Sequence, residues 1–130
     1  MHFGPTIEEV LKNNILKSVN VNEEMNEIIF ITTLGDIYMM HHDQDCCESV
    51  TIDDICGDIN DLVGSYILRA QEVSNRGNPK ADSYGDVPES FTWTFYTLST
   101  IKGTVTIKWY GSSNGYYSED VSITYLGKEV

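Results

Sequence analysis

The spacing of apolar and polar residues changes several times along the chain, and the first segment, residues 5–14, has helical spacing. Thr6 and Glu9 match the capping box S/T-x-x-E directly after a proline. The apolar residues that follow share one face, and a pair of asparagines ends the run. The pattern predicts a short helix at the start of the chain.

After residue 14 the spacing becomes alternating, which is the period of a half-buried strand. β-Branched runs separated by short polar breaks predict three consecutive strands. A tight turn at 34–36 makes the second and third of them a hairpin. The predicted strands cover 15–21, 28–33 and 37–42.

The most regular helical spacing lies between residues 51 and 63. Thr51 is a candidate N-cap, and Gly64 is a candidate terminator. Apolar residues form one stripe of this predicted helix: Ile52, Ile55, Cys56, Ile59, Leu62 and Val63. Acidic residues form the opposite face: Asp53, Asp54, Asp58 and Asp61. This face is either solvated or directed at a basic partner.

The second half of the chain returns to strand spacing. A strand over 66–73 is followed by turn-forming residues at about 74–89, which predict a long flexible or functional loop. Further alternating segments predict an antiparallel meander over 91–98, 104–110 and 116–125. The first of these has Phe91, Trp93 and Phe95 on one face and threonines on the other. The second places Val105, Ile107 and Trp109 inward.

These elements predict one α+β domain over residues 1–130, with a twisted, mostly antiparallel sheet and one or two helices packed on it. A chain of this length can bury one hydrophobic core without disulfides or metals. No apolar run is long enough for a transmembrane helix, and the first residues lack the features of a signal peptide. We therefore expect a protein that resides in a bacterial cytoplasm with reduced cysteines.

The net charge of −12, from 20 acids against 8 Lys and Arg, argues against direct binding to nucleic acid. The same charge is compatible with an acidic mimic of nucleic acid or with a solvated, self-repelling surface. Both interpretations stay open at this point.

Residues 41–50 concentrate two histidines, two cysteines and three carboxylates directly after an apolar strand. Structural zinc sites use cysteines two to four positions apart, and the adjacent Cys46 and Cys47 break that spacing, so no metal is predicted. A cysteine nucleophile beside His41 or His42 is disfavoured, because the surrounding carboxylates raise a thiol pKa. We expect inert, buried cysteines instead.

The segment Gly111-Ser112-Ser113-Asn114-Gly115 matches the nucleophile motif G-x-S-x-G. That motif requires a strand-to-helix turn and a later histidine, and no histidine follows here. The segment is therefore either a tight turn or a backbone nest for a phosphate. Without a catalytic set we predict a protein that is not an enzyme and uses no cofactor.

Aromatic residues are concentrated after residue 90, and most of them must belong to the core. Some tyrosines at the rim of the sheet could instead stack on a flat ring such as adenine, namely Tyr96, Tyr110, Tyr116 and Tyr117. Lys108 or Arg69 would then contact a phosphate.

The motif HDQDCCESV at 42–50 and the segment IKWYGSSNGYYS at 107–118, preceded by TWTFY at 92–96, resemble a family of short phage and prophage proteins. The size and the order of elements are also similar to the first family of phage Thoeris anti-defence proteins. That resemblance implies a non-enzymatic, homo-oligomeric sponge that binds cyclic ADP-ribose-type signals between its subunits. The family uses arginines at its ligand site, whereas this chain has only Arg69 and Arg76.

The sequence thus predicts a phage anti-defence protein that sequesters a nucleotide immune messenger. The candidate ligand residues are His42, Asp43, Gln44, Arg69, Tyr96, Lys108, Tyr110, Ser112, Asn114 and Tyr116. The alternative is an anti-CRISPR-like protein inhibitor that occupies the basic channel of a defence protein with its acidic helix face, through Asp53, Asp54, Asp58 and Asp61.

Overall fold

The computed structural model describes residues 5–77, 90–114 and 117–129. In these residues two four-stranded antiparallel sheets account for most of the regular structure. The first sheet has the order β1-β2-β3-β8, from strands Leu16–Val21, Glu27–Thr32, Asp36–His41 and Ser122–Lys128. The second has the order β4-β7-β6-β5, from strands Ser49–Cys56, Gly103–Ser113, Ser90–Thr100 and Arg69–Gly77.

Both sheets contribute to one hydrophobic core. Phe30 and Met40 come from the first sheet, and Ile107 and Trp109 come from the second. The indole nitrogen of Trp109 donates to the sulfur of Met40 at 3.3 Å, which places the two sheets face to face at this point. The predicted class, α+β with mostly antiparallel sheet and a short helix, is confirmed.

The only α-helix in the described residues is α1, Ile7–Leu11. Its predicted capping box is confirmed: the Thr6 hydroxyl accepts from the Glu9 N–H at 3.2 Å, and the Glu9 carboxylate accepts from the Thr6 N–H at 3.3 Å. Ile7 and Leu11 are fully buried in the core. The described residues include no helix long and apolar enough to cross a membrane.

The predicted helix at 51–63 is wrong, because most of its first half is strand β4. The pairing of β4 with β7 shifts between Ile52 and Asp54, so one extra residue bulges out of the ladder. Ile52 and Ile55, on either side of the bulge, are three positions apart in the sequence. This separation imitates helical spacing. β-Branched residues and a ladder with β7 favour the strand. Only a single 3₁₀ turn, Ile59–Leu62, follows.

The side chains of β6 face opposite ways in strict alternation. Its buried positions are three threonines together with Tyr96 and Leu98. Phe91, Trp93 and Phe95 lie on the outer face and are half-buried. On β7 the predicted inward set of valine, isoleucine and tryptophan is confirmed.

The predicted meander of three strands is wrong in its last member, because β8 begins at Ser122 and pairs with β3 in the first sheet instead of following β7. Other boundaries also differ from the prediction. Strand β5 continues to Gly77, so the predicted loop does not begin at residue 74, and its remainder at 78–89 lies outside the described residues. Strand β7 continues to Ser113, so the first residues of the predicted Gly/Ser connection are strand.

Candidate functional site

The loop from β3 to β4 is built around a buried carboxylate, Glu48, whose residue is 4% exposed. It accepts from the backbone N–H of Asp45 at 2.8 Å and of Cys46 at 2.9 Å, and it contacts Nε2 of His42 at 2.8 Å. Burial alone would raise the pKa of Glu48. The hydrogen bonds lower it by more than burial raises it, so that the pKa is about 2. The carboxylate is therefore an anion that the loop folds around.

His42 connects this loop to the segment that precedes β8. Its Nδ1 lies 2.7 Å from the backbone carbonyl of Asp120, and its Nε2 faces Glu48. Both of these partners are hydrogen-bond acceptors. The His42–Glu48 contact is buried, since the two side chains are 4% and 0% exposed. His42 thereby connects the loop between β3 and β4 to the segment before β8.

The remaining polar residues of the loop support the same arrangement. The Gln44 amide donates to the backbone carbonyls of Glu48 at 2.7 Å and Cys46 at 3.2 Å. Asp43 is exposed, and its carboxylate lies 3.5 Å from Nδ1 of His41. Of the three predicted ligand residues in this loop, His42 and Gln44 thus have internal structural partners.

The cysteines do not lie where the sequence predicted them. Cys46 and Cys47 are exposed and form a disulfide with each other, whereas the prediction was reduced and buried thiols. Cys56 is a free, exposed thiol that donates to the Asp54 carboxylate at 3.4 Å. This hydrogen bond and the negative charge of Asp54 raise the pKa of Cys56. Cys56 belonged to the predicted apolar stripe, but as the last residue of β4 it is exposed.

A second buried carboxylate, Glu119, explains the Gly/Ser motif. Its two oxygens accept from the hydroxyls of Thr92, at 2.7 Å, and Ser113. Gly111 makes room for it: a Cβ at this position would lie 2.9 Å from the Cβ of Glu119 and 3.1 Å from Val50. Gly111 and Ser113 are therefore strand residues that seat a carboxylate, and neither belongs to a nucleophile elbow or a phosphate nest.

The loop and the segment 117–121 together form what we call the junction. Within the described residues, every buried side-chain nitrogen or oxygen has a hydrogen-bond partner. The same residues contain no group of three or more His, Cys, Asp and Glu side chains arranged to hold a metal ion. Because its buried polar atoms are engaged internally, the junction is a structural connection between the two sheets.

A different surface offers apolar rings to the outside. On the outer side of the second sheet, Trp93 of β6 lies opposite Tyr110 of β7, with ring centroids 4.4 Å apart. Phe91 stacks on Tyr110 at 6.4 Å. The Lys108 ammonium lies 4.4 Å from the centre of the Trp93 ring, which is a cation–π contact. We call this surface the outer aromatic face; its residues are Phe91, Trp93, Phe95, Lys108 and Tyr110.

The outer aromatic face is accessible and has a charged margin. All five of its side chains are half-buried, since neighbours on a sheet cover one another. Val73 of β5, opposite Phe95, is 54% exposed and extends the apolar area. On the other side the Lys108 ammonium lies 3.6 Å from the Asp53 carboxylate of β4. A flat, partly apolar ligand could therefore stack here beside one cation.

The structure groups only some of the predicted ligand residues at this face. Lys108 and Tyr110 belong to it, and Ser112 lies opposite Phe91. Tyr96 was assigned wrongly: it is 2% exposed, its hydroxyl donates to the Val121 carbonyl at 3.4 Å, and burial raises its pKa.

The other predicted ligand residues lie elsewhere. Arg69 is exposed at the start of β5 and donates to Gln71 at 2.6 Å. Asn114 is exposed at the end of β7, and Tyr116 lies outside the described residues. Conversely, Trp93, Phe91 and Phe95 were missed as site residues. The sequence shows that these residues alternate along β6. It does not show which of the two sides of the strand faces the core.

The four acids of the alternative hypothesis do not form a helix face. Asp53 and Asp54 are exposed at the β4 bulge, and Asp58 caps the 3₁₀ turn by accepting from Asn60 N–H at 2.9 Å. Asp61 lies in that turn, where its backbone carbonyl accepts from Thr100. The acids are neighbours along the chain, but they are spread over a strand and a turn.

One comparison with known proteins gave a match. The family model described as Domain of unknown function (DUF7448) matches residues 8–123, which is most of the chain and includes both the junction and the outer aromatic face. Comparison with curated proteins and comparison with solved structures gave no match.

Proposed function

The chain belongs to the DUF7448 family, and we propose that it is a phage-encoded, non-catalytic anti-defence protein of the host cytoplasm. In this proposal it sequesters a nucleotide immune messenger of the cyclic ADP-ribose type on the outer aromatic face. The observation that carries the proposal is this cluster of accessible rings beside Lys108. The face also contains Tyr110, and Ser112 borders it.

The chemistry of the face suits an adenine ring. Base–aromatic stacking contributes roughly 1–3 kcal/mol per base, and Trp93 offers the largest surface for it. The Lys108 ammonium can contact a phosphate, and the Ser112 hydroxyl can donate to one. The proposed role is binding without chemistry, and His42 and Glu48 contact one another within the junction.

The charge of the protein sets an expectation for salt. With a net charge of −12, the protein repels an anionic ligand at long range. In addition, Lys108 must turn from Asp53 to a phosphate. Moderate salt screens the long-range repulsion, so we expect messenger binding to hold or strengthen between low and physiological ionic strength.

The experiment is calorimetry and thermal shift with cyclic ADP-ribose isomers and cyclic oligonucleotides. We expect at least one compound to raise the melting temperature of the wild type and to give a saturable heat. Trp93→Ala removes the stacking surface and should weaken binding by at least about tenfold. Tyr66→Ala is the control, because it deletes an aromatic ring that is 59% exposed but lies outside the outer aromatic face.

Two results would contradict the proposal. The first is that no compound in the panel stabilises the wild type. The second is that Trp93→Ala and Tyr66→Ala bind equally well, which would place any ligand elsewhere on the protein.

The alternative class, an acidic inhibitor of a bacterial defence protein, retains one supporting observation. Asp53, Asp54 and Asp58 are all exposed and close in sequence. The affinity for a basic protein would fall steeply as the salt concentration rises. This is opposite to the salt dependence expected for an anionic ligand. Replacing Asp53, Asp58 and Asp61 by Asn should then abolish binding to the basic protein. Under the messenger proposal the same variant should not weaken messenger binding, because Asp53→Asn removes the carboxylate that holds Lys108.

A further inference from the structure

The two sheets have four edge strands, and one of them differs from the rest. An edge strand presents unpaired N–H and C=O groups, and proteins commonly protect such edges with bulges, lysines or prolines. The pairings of β1, β4 and β8 each contain a register shift. The pairing of β5 with β6 runs without a shift through all nine of its residues. Strand β5 is therefore the one regular edge among the described strands.

Strand β5 is only partly protected, because α1 packs against its start and three of its residues, Arg69, Glu72 and Arg76, are charged. Its sequence contains neither lysine nor proline. Its side chains from Gln71 to Arg76 are all exposed, and Val73 is 54% exposed. Nine residues is long for an edge, since strands average about five to six. A strand of this kind is a template for another strand.

We infer that β5 pairs antiparallel with β5 of a second copy of this chain, around a twofold axis at Ser74. In this register Glu72 lies opposite Arg76 of the partner subunit, and Arg76 lies opposite Glu72 of the partner subunit. Opposite charges that face one another across two paired strands stabilise the pairing. The overlap covers residues 71–77.

Neighbouring registers lack this complementarity. An axis at Glu72 would place two glutamates opposite one another, and an axis at Val73 would place Glu72 opposite Ser74. An axis between residues 72 and 73 would bring Arg69 opposite Arg76. Residues 70–73 of β5 line a shallow groove with residues 6–8 at the start of α1, and the overlap at 71–77 includes three of these β5 residues.

The two charged side chains are placed to make these contacts. Glu72 and Arg76 lie on the same side of β5, opposite Tyr96 and Thr92 of β6. Arg76 already contacts the Asp120 carboxylate at 3.3 Å, yet its side chain is 61% exposed. A guanidinium has five N–H donors, so it can bind both carboxylates.

The pairing has a consequence for the outer aromatic face. In an antiparallel pair centred on a residue, opposite positions point to the same side, so the outer faces of both copies lie side by side. The second sheets of the two copies then form one eight-stranded sheet. Val73 of one copy lies opposite Asn75 of the partner subunit, between the two groups of rings. The pairing itself does not depend on the proposed messenger.

The test measures the mass of the full chain without any ligand, by analytical ultracentrifugation over a range of concentrations. We expect the wild type to reach twice the chain mass of 14.7 kDa. Glu72→Arg and Arg76→Glu each place like charges opposite one another and should raise the dissociation constant at least about tenfold. Mixing the two variants restores opposite charges at both contacts, so the mixture should dimerise as the wild type does.

Glu24→Arg is the control, because it makes the same charge change at an exposed turn residue. It should leave the dissociation constant unchanged. The double variant Glu72→Arg/Arg76→Glu keeps opposite charges facing one another and should dimerise, which separates the charge effect from damage to the fold. Circular dichroism confirms that each variant is folded.

A wild type that stays monomeric at all concentrations would overturn the inference. A dimer that survives both single variants, or that fails to return in the mixture of folded variants, would overturn the β5 interface. Because no ligand is added, these outcomes are independent of whether the messenger proposal holds.

Discussion

At the scale of single residues, the junction shows how buried charge is accommodated. Glu48 and Glu119 are both almost fully buried in a protein that has many exposed acids. Glu48 accepts from two backbone N–H groups and contacts the His42 ring, while Glu119 accepts from two hydroxyls. A buried carboxylate without such partners would cost several kcal/mol, so these contacts fix the loop geometry.

Replacing Glu48 by Gln should destabilise the protein by about 2–4 kcal/mol, because one acceptor oxygen becomes a donor and the buried N–H groups that it faced lose their acceptor. Chemical denaturation at neutral pH measures this change in the free energy of unfolding. Glu24→Gln, at an exposed turn position, is the control and should change stability by less than about 0.5 kcal/mol. Equal effects of the two substitutions would contradict the assigned role.

The same carboxylate predicts a pH dependence. The pKa of Glu48 in the folded protein, about 2, lies below its ordinary value of 4.5, so between these values the unfolded chain binds more protons. Its contribution to stability is complete above about pH 4.5 and is lost as the pH falls towards about 2. Over this window the wild type should therefore lose stability more steeply than Glu48→Gln. Parallel slopes in denaturation at several pH values would refute this.

At the scale of elements, β4 is a strand shaped by a bulge and a glycine, in a segment whose spacing predicted a helix. The extra residue at the bulge exposes two consecutive aspartates, and Lys108 of β7 lies opposite the second of them. The strand ends at Cys56, before Gly57, whose φ of +109° is accessible mainly to glycine. A Cβ at Gly57 would lie 2.6 Å from the carbonyl oxygen of Thr104, so the close approach of β7 also requires glycine.

Gly57→Ala and Gly127→Ala form a matched pair that separates these two requirements. Both glycines have positive φ, +109° and +114°, but nothing lies within 4 Å of a Cβ at Gly127. Gly127→Ala should cost about 1–2 kcal/mol for the backbone alone. Gly57→Ala should cost about 1–3 kcal/mol more because of the clash with Thr104. Denaturation of both variants measures the difference, and equal losses would exclude the steric contribution.

At the scale of the whole molecule, one core joins the two sheets. Trp109 of the second sheet and Met40 of the first are both fully buried and contact one another. The junction connects the same sheets at the loop before β4 and the segment before β8. Since the buried apolar residues that the structure describes form one cluster shared by both sheets, we expect the sheets to unfold together.

Met40→Ala should therefore destabilise both sheets at once, by about 2–5 kcal/mol. Tryptophan fluorescence reports on Trp93 and Trp109, which both lie in the second sheet, and far-ultraviolet circular dichroism reports on all strands. Their unfolding transitions should coincide in the wild type and shift together in the variant. Met39→Ala is the control, because this neighbour on β3 is only half-buried and should cost less. Separate transitions for the two probes would show that the sheets unfold independently.

Several features followed from the sequence alone because they depend on local physics. The capping box of α1 needs only two residues three positions apart, and the inward set on β7 needs only alternation and the apolar character of three side chains. The antiparallel character of the sheets followed from short connections between alternating segments. The messenger function and its oligomer stay predictions, supported by the outer aromatic face and the β5 edge respectively.

The tertiary structure alone decided the rest, because those choices depend on distant partners. Alternation on β6 is symmetric with respect to its two faces, and contacts with Val121 and Glu119, more than twenty residues away, turn Tyr96 and Thr92 inward and leave Trp93 outside. Pairing with β7 converted a helical spacing into a bulged strand. Contacts with distant residues likewise make the polar loop between β3 and β4 part of the structural junction. The aromatic rings on the outer side of β6 and β7 form the candidate site instead.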